Sequence, residues 1–124
     1  MIVANSGGRE KPQESLPGRA SLPHEELTLM CVNMNGLRKK RKRILLGKLM
    51  YDLWAGICVV TETHFRKPDL DQLAYDNYHI LADYCRPVPL GERIGGGVVI
   101  LAHNSLSVEV GRKLEELRGK AVLE

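Results

Sequence analysis

Residues 27–62 read LTLMCVN-MNGL-RKKRKR-ILLGKLMYDLW-AG-ICVVTE, and the architecture can be argued outward from them. Leu27 to Val32 is a short, mostly apolar run closed by the turn-forming Asn33-Met34-Asn35-Gly36, which predicts a buried strand. Beyond the basic run, Leu45, Leu46, Leu49, Met50 and Leu53 recur at helical spacing, with Ile44 and Trp54 beside the stripe. That is one face of an amphipathic helix, ended by Gly56. Ile57 to Thr61 is a second buried strand running directly into Glu62. Strand, helix and strand at this spacing predict a βαβ unit with parallel strands.

Upstream, residues 1–26 hold three of the six prolines (Pro12, Pro17 and Pro23) together with Gly7, Gly8 and Gly18. They show no periodicity and predict a disordered tail. Downstream, Pro68 fits the first turn of a short helix over Asp69 to Ala74. Tyr78 to Ala82 and Gly97 to Ala102 predict a third and a fourth strand. Leu106 to Val110 alternates and follows the turn His103-Asn104-Ser105, which predicts a fifth strand with one wet face. Ala121-Val122-Leu123 leaves room for another. The 124 residues amount to one α/β unit over 27–124, a partial domain behind the tail.

Composition narrows the function classes. Apolar residues at 44% and charged residues at 27% give the balance of a soluble globular protein. No apolar run approaches the roughly 18–20 residues of a membrane span, and the N-terminus lacks a signal-peptide core, so neither secretion nor a membrane partner is expected. Cys31, Cys58 and Cys85 are odd in number with no CxxC pair, which argues against a disulfide framework or a thiolate zinc site and for reduced thiols inside the cell. The net charge of +3 conceals an asymmetry. Arg38, Lys39, Lys40, Arg41, Lys42 and Arg43 are consecutive, and without these six cations 12 basic residues face 15 acidic ones. Such a patch suits nucleic-acid phosphates or a nuclear-import signal, against the plain alternative of a solvated helix start. It opposes the helix macrodipole, and no aromatics are interleaved for base stacking.

Polar residues at the strand ends carry the chemistry. Asn33 follows the first strand and Glu62 the second, so parallel pairing brings both to one sheet edge, where α/β proteins bind ligands. A carboxylate beside an amide oxygen suits a hard divalent ion such as Mg²⁺, or Mn²⁺ in its place. The plain alternative is a turn-shaping Asn33 and a solvated Glu62.

Three blocks, Cys31-Val32-Asn33-Met34-Asn35-Gly36-Leu37, Val60-Thr61-Glu62-Thr63-His64 and Gly95 to Leu101 (GGGVVIL), stand in order, each at a predicted strand. Together they resemble the endonuclease/exonuclease/phosphatase superfamily, which includes exonuclease III, the apurinic/apyrimidinic endonucleases and deoxyribonuclease I. The N-x-N-G-L and E-T-H blocks look most like the endonuclease domains of non-LTR retrotransposons. The resemblance spans roughly Leu27 to Val110. It implies the N-terminal half of a DNase I-like, four-layered α/β sandwich, a mixed sheet with flanking helices. It implies Mg²⁺-dependent hydrolysis of DNA phosphodiesters, with Glu62 as metal ligand and Asn33 against that carboxylate and the scissile phosphate. Asn35 would face substrate. His64 is expected to be a turn histidine, and Gly95 to Gly97 a tight turn with no phosphate role.

The sequence departs from the family in its second half. The resemblance calls for general-base elements in the second half, an Asp-x-Asn block, a Tyr and a terminal Asp-His pair, and no Asp-x-Asn and no terminal Ser-Asp-His follow the glycine block before Glu124. Asp83 and His103 stand in other contexts. The resemblance therefore implies an incomplete site with poor catalysis. It also implies an apolar sheet face whose cover is the missing C-terminal half or another chain. Two further functions stay open: a non-catalytic remnant binding nucleic acid through Arg38 to Arg43, and a phosphatase or phosphodiesterase of the same superfamily.

Overall fold

The two apolar runs around the basic helix pair in parallel, as their spacing requires. A computed structural model describes residues 15–85 and 95–108. It contains strand β1 (Thr28–Asn33), helix α1 (Lys40–Leu53), strand β2 (Ala55–Thr61), a 3-10 helix (Lys67–Gln72), strand β3 (Tyr78–Tyr84) and strand β4 (Val98–His103). The sheet order is β1-β2-β4-β3, with β1 and β2 parallel and β4 antiparallel to both β2 and β3. Over the described residues the fold is α/β with a four-stranded mixed sheet.

Several boundaries differ from the sequence reading. Asn33 is the last residue of β1 rather than the first beyond it. The short helix starts at Lys67, because the Asp69 carboxylate accepts a hydrogen bond from the Arg66 amide (2.8 Å) and fixes the first turn. Gly56 does not end α1. Trp54 does, in the left-handed conformation (φ 55°, ψ 42°), with its N–H directed at the Met50 and Tyr51 carbonyls. Gly56 lies inside β2, at the irregularity that shifts register between Thr28 and Leu29. Leu106 to Val108 form no strand; the chain turns back as Leu106 N–H donates to the His103 carbonyl (3.0 Å). The rest of that expected strand, Glu109 and Val110, lies outside the described residues, as does Ala121 to Leu123.

The core forms on one face of the sheet. Cys58, Val60, Val99 and Leu101 from β2 and β4 meet Leu46 and Met50 of α1, closed by Leu37 and Phe65. The buried line of α1 runs through Leu46, Gly47 and Met50, whereas Leu45 and Leu53 of the expected stripe are 47% and 51% exposed. Tyr75 explains the rotation. Its ring occupies the space beside Gly47, and its hydroxyl donates to the Arg43 carbonyl (2.6 Å).

Residues 15–19, within the segment expected to be a disordered tail, instead form a strap on this core. Leu16 bridges Tyr75 through the bonds Leu16 N–H to Ala74 O (2.9 Å) and Asp76 N–H to Leu16 O (2.8 Å). The Arg19 guanidinium stacks on the Trp54 and Tyr51 rings, 3.3 and 3.9 Å from their centroids. Buried His103 completes the anchor. Its Nδ1 accepts from Ser105 N–H (3.1 Å), so the proton sits on Nε2, which donates to the Arg19 carbonyl (2.8 Å). Proline and glycine content could not reveal partners supplied from residues 51–105.

The opposite sheet face is apolar and, among the described residues, has no helix over it. Leu29 is 65% exposed and Cys31 is exposed, beside half-buried Ile57, Val59 and Ile100. Among the described residues no helix is long and apolar enough to cross a membrane.

Candidate functional site

The parallel register sets Asn33 opposite Thr61, on a strand roughly 4.8 Å away, and Glu62 follows one residue beyond that pair. Both reach the same sheet edge. Past the strand ends the two chains stay paired: Met34 N–H donates to Thr61 O (3.1 Å), Gly36 N–H to Glu62 O (2.7 Å) and Leu37 N–H to Thr63 O (2.9 Å). The Asn33 side-chain oxygen accepts from Asn35 N–H (3.0 Å), an Asx turn that fixes the amide at the edge. Asn35 itself is exposed and left-handed (φ 50°).

Residues 62–65 alternate. Thr63 and Phe65 are buried, while Glu62 and His64 turn outward, and both outward residues are left-handed (φ 56° and 59°). Each such conformation costs about 1–3 kcal/mol for a residue with a side chain and persists only where its surroundings hold it. Here the surroundings are specific. Glu62 Oε1 lies 2.9 Å from His64 Nε2, with the two side chains 43% and 26% exposed. Gly96 N–H makes a longer bond (3.4 Å) to the same oxygen. His64 N–H donates to Gly96 O (2.9 Å).

Two glycines make these approaches feasible. Gly36 (φ 103°) lies under the His64 ring, where a Cβ would sit 3.1 Å from Nδ1. Gly97 (φ 97°) leaves room for Thr63, where a Cβ would come within 2.5 Å of Oγ1. From the sequence, His64 is expected as a turn residue and the glycine run as a tight turn feeding a strand. In the structure both contact Glu62. The signal available for His64 was its i+2 spacing from Glu62, which places the two on one side of an extended segment.

The basic run divides. Lys42 Nζ donates to the carbonyls of Met34, Asn35 (3.3 Å) and Gly36 (3.3 Å). Arg43 donates to the carbonyls of Leu37 (3.0 Å) and Arg38 (2.7 Å). Arg38 leans toward Asp69 at 3.8 Å. Lys39, Lys40 and Arg41 are exposed and, among the described residues, make no side-chain hydrogen bond or ion pair. Of the six cations expected to face phosphates, Lys42 and Arg43 thus direct donors to the loop after β1.

Neither remaining titratable candidate stands beside Glu62. His103 stands at the far end of β4: Ala102 pairs with Ile57 and Val98 with Thr61, which puts His103 at the end of the sheet opposite Glu62. Asp83 lies on β3, two strands from β2, and is ion-paired to Lys67 (2.9 Å).

The donors present at the edge are one half-exposed carboxylate and one amide oxygen. They fit a largely hydrated Mg²⁺ or Mn²⁺, which takes one or two carboxylates and keeps several waters, rather than a caged ion. Among the described residues no group of three or more His, Cys, Asp or Glu side chains could hold a metal. Comparison with protein-family models, curated proteins and solved structures finds no match to this chain.

Proposed function

We propose that Asn33 and Glu62 form half of a divalent-cation site for phosphodiester hydrolysis of DNA, on the N-terminal half of an endonuclease/exonuclease/phosphatase-like, two-sheet sandwich. One observation carries the reading: Asn33 and Glu62 lie where two adjacent parallel strands end at the same side of the sheet, and the exits stay paired through the Gly36 N–H to the Glu62 backbone carbonyl (2.7 Å). A bound divalent ion supplies charge neutralisation for a phosphoryl oxygen. Glu62 would hold that ion, Asn33 would orient a phosphate oxygen beside it, and Asn35 would face the next group along the substrate. His64, bonded to Glu62, keeps the carboxylate in place. No described residue is set to act as general base apart from the Glu62–His64 pair, so turnover by this chain alone is expected to be slow.

The exposed cations Lys39, Lys40 and Arg41 favour a polyanion over a small phosphate ester as substrate, and they would serve a non-catalytic DNA-binding role as well. The test combines Mn²⁺ binding, read by electron paramagnetic resonance, with Mg²⁺-dependent nicking of supercoiled plasmid. Glu62→Gln should weaken Mn²⁺ at least tenfold while the fold is retained, and the chain should nick plasmid no faster than an EDTA control. Equal Mn²⁺ affinity in Glu62→Gln overturns the metal site. Nicking lost in both Glu62→Gln and EDTA would show that the half-site suffices for catalysis.

A further inference from the structure

The geometry points to Lys42 as the residue that positions the Asn33–Gly36 loop against Glu62, and away from any role in phosphate binding. Three backbone carbonyls in succession, those of Met34, Asn35 and Gly36, converge on its ammonium group. An ammonium has three donors and no acceptor, so these three contacts use its full capacity. The same three loop residues face the other way with their N–H groups engaged or turned inward. Met34 and Gly36 donate to Thr61 O and Glu62 O (3.1 and 2.7 Å), while Asn35 donates to the Asn33 side chain (3.0 Å). The loop is therefore held between Lys42 on its carbonyl side and the Glu62 segment on its N–H side.

Carbonyls converge on one point only where the backbone turns tightly, and the loop does so with Asn35 at φ 50° and Gly36 at φ 103°. Three carbonyl dipoles aimed at one point repel one another, and the ammonium at that point converts the repulsion into attraction. Removing the charge leaves water to solvate the carbonyls and lets Asn35 relax from the left-handed region. Gly36 N–H then loses its register on Glu62 O. Arg43 reinforces the arrangement from the same helical turn by donating to the Leu37 and Arg38 carbonyls (3.0 and 2.7 Å). The effect of Lys42 on ion binding rests on the reading of Glu62 proposed above; its effect on the loop does not.

The test uses the full chain with Lys42→Met, which keeps the length of the side chain and removes its charge and donors. Lys42→Arg restores them, and Lys40→Met is the surface control. Hydrogen exchange at the Gly36 and Leu37 amides should quicken at least tenfold in Lys42→Met and stay at the wild-type rate in Lys40→Met. Mn²⁺ affinity should fall on the order of tenfold in Lys42→Met, as for other residues that orient a metal ligand, and recover in Lys42→Arg. Unchanged exchange in Lys42→Met overturns the proposal. So does unchanged affinity where the wild type binds Mn²⁺ through Glu62. A wild type without Glu62-dependent binding refutes the metal reading instead, and the exchange rates still decide the role of Lys42. Should Lys42→Met fail to fold, nitrogen-15 spectra of wild-type lysine ammonium groups decide. A protected Lys42 signal, unmoved by a DNA duplex that shifts Lys39 and Lys40, is expected; a Lys42 signal that exchanges like theirs overturns the assignment.

Discussion

The division of the basic run sets how binding to DNA responds to salt. Each phosphate neutralised by Lys or Arg contributes about −0.9 to the slope of log K against log salt on duplex DNA. Six contacts would give a slope near −5.4, and raising salt from about 50 to 200 mM would weaken binding about 1,800-fold. The structure engages Lys42 and Arg43 with loop carbonyls and leans Arg38 on Asp69, leaving Lys39, Lys40 and Arg41. Three contacts predict a slope of about −2.7 and a loss of about 40-fold over the same range.

Fluorescence anisotropy of a labelled duplex, in EDTA so that no divalent ion contributes, measures the slope directly. Lys40→Gln and Arg41→Gln should each reduce its magnitude by about one, and Lys42→Gln should leave it unchanged. A wild-type slope near −5, or a full unit lost in Lys42→Gln, would refute the division into inner and outer cations.

Two further expectations concern the scaffold. Gly47→Ala should gain about 1 kcal/mol of helix propensity, yet its Cβ would sit 2.8 Å from Tyr75 Cε1, on a ring pinned through its hydroxyl to Arg43 O. Overpacking of that kind costs about 1–3 kcal/mol, so a lower urea midpoint is expected, and a higher one would mean that Tyr75 does not seat α1. Burial, with the Cys31 thiol adding to it, pushes the Cys58 thiol from 9.0 up to about 12. The unfolded thiol ionises first as pH rises, so this contribution to stability is complete below pH 9 and lost as pH climbs toward 12, on the order of 4 kcal/mol in all. Tyr75 and Tyr78, raised by burial, act in the same direction. Urea midpoints from pH 8 to 11 should therefore fall more steeply in wild type than in Cys58→Val, and parallel curves would contradict the buried thiol.

What could be read from the sequence was local. The βαβ unit followed from two apolar runs on either side of a helical stripe, because residues 27–61 contain the strands, the crossover and the turn residues that join them. That the ends of the two strands carrying Asn33 and Glu62 fall at one side of the sheet was equally legible, since parallel pairing alone brings strand ends together. The rest depended on partners far along the chain. Leu16 and Arg19 could not be distinguished from tail residues until Tyr75, Trp54 and His103 were in place around them. The rotation of α1 followed from Tyr75, 28 positions beyond Gly47, and the inner role of Lys42 from carbonyls that converge only after the loop turns. A run of identical charges offers no periodicity from which to tell inner members from outer ones.

Backbone strain at this sheet edge has a topological origin. Two parallel neighbours must both leave the sheet on the same side, so their exits compete for one space. In this chain they share it by pairing with each other: Asn35, Gly36, Glu62 and His64 all take positive φ, and Gly96 and Gly97 line the third side in the same region of φ. The cost of several left-handed residues is offset by the bonds they allow, from Gly36 to Glu62, from His64 to Gly96 and between the Glu62 and His64 side chains. None of these bonds survives if the exits straighten. A loose turn would serve the connection to α1 equally well, with hydrated carbonyls and no lysine committed to them. What the strained arrangement adds is a carboxylate, an imidazole and an amide oxygen held on one rim, and that is the physical ground for proposing a function there rather than on the apolar face behind it.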